Sequence, residues 1–205
     1  MNNLKNWVWL LLFGTLWGIF EVFGGEILFR HDKVYASVWL TVWAFFLLAM
    51  ARGVLNRPGT STIIGVFAAG FRLVNASPFF CHLLAIVMLG MTFDVFATVL
   101  LRHKRGVIYR SILSGLLSVY AGRAIFGILA TYIIRYERWT AGESETVFDH
   151  VFVYGSIAAL MTVAAVPLGY WLGVNGMELE KRYPRLAFAG SLVLLFGLWT
   201  LGRMT

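Results

Sequence analysis

Charge is scarce in this chain. Of 205 residues only 13% are Asp, Glu, Lys or Arg, and 60% are hydrophobic. A soluble domain of this length keeps much of its surface in water, and this sequence has too few polar residues to furnish such a surface. Cysteine is limited to Cys81, which excludes an intrachain disulfide. Polar segments are short as well, the longest being 135–146. No soluble domain fits between the apolar runs, so residues 1–205 are expected to form one integral membrane domain.

Catalytic signatures are also missing. The histidines, His31, His82, His103 and His150, are scattered, without a His-x3-His pair or a His-Glu-x-x-His zinc motif. There is no Gly-x-Ser-x-Gly nucleophile turn, phosphate-binding glycine loop or paired carboxylate motif. No catalytic residue, cofactor or metal is therefore expected. His82 and His150 fall at similar depth and could ligate a haem from two helices, but lone histidines near span ends usually meet headgroups or water.

What the chain does contain is a series of long apolar runs. A membrane helix needs about 20 mostly apolar residues, and seven segments qualify or nearly do: 7–29, 34–50, 60–75, 79–101, 107–134, 148–173 and 186–201. They are continuously apolar, unlike the alternating strands of an outer-membrane barrel. The expected fold is an all-α polytopic bundle of six to seven membrane helices. The third segment is short enough to be re-entrant or strongly bent. Lys5 followed by an apolar run resembles a signal peptide, yet no small-x-small cleavage site follows, so a retained first helix is expected.

The net charge of +7 has a topological explanation. With a cytoplasmic N-terminus, the inner side holds Lys5, Arg52, Arg57, Arg102, Lys104, Arg105, Arg110, Lys181, Arg182 and Arg185. The outer side holds Arg30, Lys33, Arg135, Arg138 and Arg203. An excess of Lys and Arg on one side orients a polytopic protein in a cell (inner) membrane with that side facing the cytoplasm. No basic surface with interleaved aromatics suggests nucleic acid. Arg57-Pro58-Gly59 and Asn75-Ala76-Ser77-Pro78 are expected turns, with Thr60 or Ser61 capping the helix after the first.

Ionisable groups inside spans are expensive and usually face the bundle interior. Glu21, Arg72, Asp94 and Arg123 lie within spans, with Glu26, His82, Asp149 and His150 nearer their ends. Glu21 shares a helix face with Gly14, Gly18 and Gly25. Arg72 shares one with Gly65, Ala68, Ala69 and Ala76, and Ser111, Gly115, Ser118 and Gly122 form a third. Except for Asp94, the ionisables fall in the outer half. They suggest a polar cavity open to the outside and walled by spans one, three and five and the starts of four and six. Glu21, Arg72, Arg123 and His82 are its candidate binding residues. Guanidinium groups suit a small anionic or zwitterionic solute. Trp17, Phe20, Phe23, Phe71 and Tyr120 could form an apolar wall. The competing expectation is an internal ion pair that only fixes helix register.

Size, glycine- and alanine-rich helices, and the stretch Arg57-Pro58-Gly59-Thr60-Ser61 leading into Gly65-Val66-Phe67-Ala68-Ala69-Gly70-Phe71-Arg72 resemble the substrate-binding (S) components of energy-coupling-factor transporters. The resemblance implies capture of a small solute at the outer side, handed to a transmembrane coupling protein with ATPase subunits. It also implies that Gly14 and Gly18 dock onto the coupling protein. The seventh apolar segment departs from the family's usual six helices. The alternative expectation is a non-catalytic structural or assembly subunit of a larger membrane complex.

Overall fold

The computed structural model describes residues 3–31, 33–76, 80–102, 105–137 and 143–203. The expected turn at Ser77-Pro78, the His103-Lys104 pair and Arg138 lie outside these. Every regular element among the described residues is helical. The helices are α1 (Asn3–Ile19), α2 (Gly25–His31), α3 (Lys33–Val54), α4 (Thr60–Asn75), α5 (Phe80–Leu100), α6 (Val107–Ile128), α7 (Glu143–Phe148), α8 (Tyr154–Arg182) and α9 (Pro184–Gly202). Three wider π-turns, Phe20–Gly24, Leu129–Ile133 and Asp149–Val153, continue α1 into α2, extend α6 and join α7 to α8. Six of the resulting helical stretches are long and apolar enough to cross a membrane, so the all-α membrane bundle is observed. Helices are the form in which an apolar segment can satisfy its own backbone inside lipid.

The short segment, α4, runs unbroken for 16 residues, about 24 Å at 1.5 Å per residue. It lies parallel to α1: Gly14 faces Ile64 and Phe67, Gly18 faces Phe71, and Glu21 meets Arg72. It therefore traverses the bundle in the same sense as α1 and is not re-entrant. Other neighbours agree on direction. Gly65 and Ser61 of α4 meet Gly90 of α5, Gly122 of α6 meets Leu89 and Thr92, and Gly115 meets Thr162 and Val166 of α8. Gly202, at the end of α9, sits against Phe71 and Asn75. The described helices make seven passes through the bundle, and the start of α1 and the end of α9 lie at opposite ends of it.

The tightest crossing joins α3 to α8. A side chain at Gly169 would strike the carbonyl of Phe46, one at Gly173 the carbonyl of Met50, and one at Gly53 would lie 2.6 Å from the carbonyl of Tyr170. Small residues let two membrane helices bring their backbones together, and dispersion then holds them. The interior is filled by Trp17, Phe45, Phe93, Ile64, Ile86 and Val119, with the Phe45 and Phe93 rings stacked at 5.3 Å. The outside is apolar, as a lipid-facing surface must be: Leu160 and Phe196 are each 74% exposed.

Two local expectations are corrected. Neither Thr60 nor Ser61 caps α4. Gly59 occupies the cap position with φ +85°, and Asp94 of α5 accepts the main-chain N–H groups of Gly59 (3.0 Å) and Thr62 (2.9 Å) instead. Arg52, counted above among the inner-loop charges, is fully buried inside the bundle. It pairs with Asp94 at 3.4 Å and donates to Thr98 and to the carbonyl of Arg57. A helix-terminal arginine beside a turn looks like a surface charge in sequence. Here the 55–59 turn folds back over it.

Candidate functional site

All three π-turns lie at the end of the bundle opposite the 55–59 turn and residues 101–102 and 105–106. A π-turn widens the helix, offsets the carbonyl ladder and often marks a functional site. Two buried arginines at this end, Arg72 and Arg123, use carbonyls from such turns. Arg72 donates to the carbonyl of Glu21, inside the first turn, and Arg123 donates to that of His150, inside the third.

Between these two groups lies a cavity of about 510 Å³. Glu21, His82, Arg123, Asp149, His150 and Thr41 supply its polar lining, and Leu40, Ile86, Leu89, Phe126 and Tyr154 its apolar wall. Concave, mostly apolar sites with a few convergent polar groups are the usual form of small-molecule pockets. Three of the four residues expected to bind solute, Glu21, His82 and Arg123, therefore meet in one cavity. The fourth, Arg72, sits behind Glu21 and does not line it.

The Glu21 wall is electrostatically complete. The carboxylate is 2% exposed and accepts a hydrogen bond from Trp17 Nε1 at 3.0 Å. His82 Nε2 lies 3.2 Å from its other oxygen, and Arg72 Nη1 lies 3.7 Å from the same atom. Here the expected internal ion pair is present, between Glu21 and Arg72. Such a pairing offsets part of the cost of burying the carboxylate.

The facing wall is built differently. Arg123 is 3% exposed. Its Nη1 donates to the carbonyl of His150 at 3.2 Å and lies 3.5 Å from His150 Nδ1. Its Nη2 donates to the carbonyl of Ser37 and to Thr41 Oγ1, both at 3.2 Å. Every acceptor is neutral, and the Nε–H has none. Among the described residues no carboxylate comes within ion-pair distance of Arg123. Gly155 leaves room for its stem, since a Cβ there would lie 3.2 Å from Arg123 Cδ. Neutral acceptors orient a guanidinium but leave its charge unbalanced in a medium that penalises it.

The walls differ from the expected ones. Span two, α3, contributes Ser37, Leu40 and Thr41, whereas span three, α4, contributes nothing. The expected aromatic wall is used elsewhere. Trp17 is buried beside Glu21, Phe20 stacks on Trp43 at 4.7 Å, Phe71 packs edge-on against Trp199 at 5.0 Å, and Tyr120 bonds Ser156. Phe23 does not line the cavity either. Thr41 was not singled out in the sequence; its position one turn after Ser37 on an apolar helix was the available signal.

Gly14 and Gly18 pack within the chain. A Cβ at Gly14 would lie 2.5 Å from that of Phe67, and one at Gly18 would lie 2.7 Å from that of Phe71. Helix α4 covers this face, which leaves no free surface there for a coupling protein. The described residues contain no cluster of three or more His, Cys, Asp or Glu side chains able to hold a metal ion. No protein-family model, curated protein or solved structure matches the chain.

Proposed function

We propose that this multi-pass membrane protein takes a small anionic or zwitterionic solute into the Glu21–Arg123 cavity from the outer side, as a step in its transport. The observation that carries the reading is Arg123, a buried guanidinium on a cavity wall with no carboxylate among the described residues to balance it. A solute carboxylate or phosphate beside it would supply that charge. Orientation rests on the basic residues. Lys5, Arg57, Arg102, Arg105, Arg110, Arg182 and Arg185 gather at the end away from the cavity, against Arg30, Arg135 and Arg203 at the cavity end. The first group would face the cytoplasm.

The resemblance to substrate-binding components of energy-coupling-factor transporters agrees with this arrangement of cavity and charge. In that reading a coupling protein with ATPase subunits would act from the basic end and dock on a face other than Gly14 and Gly18.

The test is to purify the protein in mild detergent, denature it and analyse the small molecules released. The wild type should release one anionic or zwitterionic compound in near-stoichiometric amount. Arg123→Gln, at equal folded yield, should release at least tenfold less. Release of nothing from the wild type, together with failure of added solutes to bind, sinks the proposal.

One observation favours the alternative of a non-catalytic subunit in a larger complex. Helix α9 packs chiefly on α1, with Trp199 donating to Thr15 at 3.1 Å, and turns Leu186, Val193 and Phe196 outward. Stoichiometric co-purification of other membrane subunits, lost when α9 is removed, would support that reading over solute capture.

A further inference from the structure

Among the described residues the charges around the cavity balance, and the way they balance selects among solutes. Glu21 is matched by Arg72 behind it. That leaves Arg123 and Asp149, both on the cavity lining and of opposite sign, yet not paired with each other. Among the described residues neither has an ion-pair partner. Asp149 opens the π-turn Asp149–Val153, one residue before His150, whose carbonyl and ring nitrogen both lie beside Arg123. The two charges therefore line one cavity, together with the apolar surface of Leu40, Ile86, Leu89 and Phe126.

Resting on the solute-capture reading above, we infer that the solute is a zwitterion with an apolar body, of the class of a hydrophobic α-amino acid or a betaine. Its carboxylate would sit on Arg123 and Thr41 and its ammonium on Asp149, with the apolar part against Ile86, Leu89 and Phe126. A monoanion would satisfy Arg123 but leave Asp149 unmatched and the filled site with a net negative charge. A cation would do the reverse. In a poorly screened site an unmatched charge is costly. A zwitterion brings no net charge and matches both groups.

Cys81, the chain's sole cysteine, lines the same cavity and serves as a reporter. The experiment compares three pools at equal millimolar concentration: hydrophobic α-amino acids with betaines, the same acids lacking the amino group, and the same compounds lacking the carboxylate. Binding to the purified wild-type protein is read as slowed N-ethylmaleimide labelling of Cys81 and, independently, as a rise in thermal unfolding temperature. The zwitterion pool should slow labelling at least tenfold and raise the unfolding temperature, and the other two pools should do neither. Asp149→Asn should transfer the protection to the des-amino acids. Equal protection by the des-amino acids in the wild type overturns the zwitterion assignment and leaves anion capture standing. A response to the amines alone overturns both readings, as does no response in either readout to any pool.

Discussion

Two buried arginines, Arg52 and Arg123, decide most of what single residues do here, and they behave oppositely. Arg52 and Asp94 are a closed pair: both are buried, and Asp94 also accepts the two N–H groups that begin α4. Removing one partner of a buried pair leaves an uncompensated charge and costs about 3–5 kcal/mol. Asp94→Ala should therefore lower stability by about that much in detergent unfolding, with further loss from the uncapped helix start of about 1 kcal/mol. Arg52→Met added to Asp94→Ala should recover part of the loss, and a double-mutant cycle measures the coupling. Arg123, by contrast, lies open to a cavity. Arg123→Lys keeps the charge but cannot span Ser37, Thr41 and His150 with one ammonium. Solute binding should fall about tenfold or more, corresponding to about 1.4 kcal/mol, while unfolding temperature shifts less than with Arg123→Ala. Calorimetric titration with the released solute checks this. Glu21, Asp94 and Arg123 were legible as interior charges because a charge in an apolar run stands out. Arg52 was not, because the final turn of a helix next to Arg57-Pro58-Gly59 has the composition of a loop.

At the scale of elements, glycines set how closely the helices approach, and their effects should divide sharply by position. Gly173→Ala would drive a methyl group into the backbone of α3 at Met50, which cannot rotate away as a side chain can. It should destabilise by several kcal/mol, above the usual 1–3 kcal/mol for overpacking. Gly176→Ala, three residues on in the same helix with nothing within 4 Å, should be neutral or slightly stabilising. Thermal unfolding of the two variants in one detergent makes the comparison. The small-residue faces around Gly14 and Gly115 were readable from spacing, and both pack inside the bundle. The α3–α8 crossing has equally regular spacing, from Gly169 to Gly173, but its partner Gly53 stands alone in its helix. Such a contact depends on which helices are neighbours, and composition does not encode that. The π-turns escaped for a related reason. An extra residue in a helical turn leaves no mark in an apolar run until a side chain such as Arg72 or Arg123 is seen using the displaced carbonyl.

For the whole molecule, seven passes through the bundle, with α4 parallel to α1, predict that the start of α1 and the end of α9 face opposite sides of the membrane. The basic end should be cytoplasmic. A reporter enzyme active only outside the cytoplasm should therefore work when fused after Arg203 and fail when fused at Gly106. The reverse pattern would invert the cavity to the inner face and end the outer-capture proposal. Neutralising Arg102, Lys104 and Arg105 together should weaken the orientation bias and yield a mixed population by the same assay.

The composition of this chain settled its solvent. With so little charge and so many long apolar runs, only lipid can cover the surface, and in lipid the backbone must close its hydrogen bonds within each segment, which demands helices. This preference is set by the sum of side-chain transfer energies along each run, whatever the packing. Which charges face which is another matter. Glu21 is matched by Arg72 and Arg123 is not, and this depends on α1 lying beside α4 while α6 lies between α5 and α8. Ion pairs and hydrogen bonds need their partners within a few ångströms, so the pairing of these residues, and with it the cavity, exists only in the packed bundle.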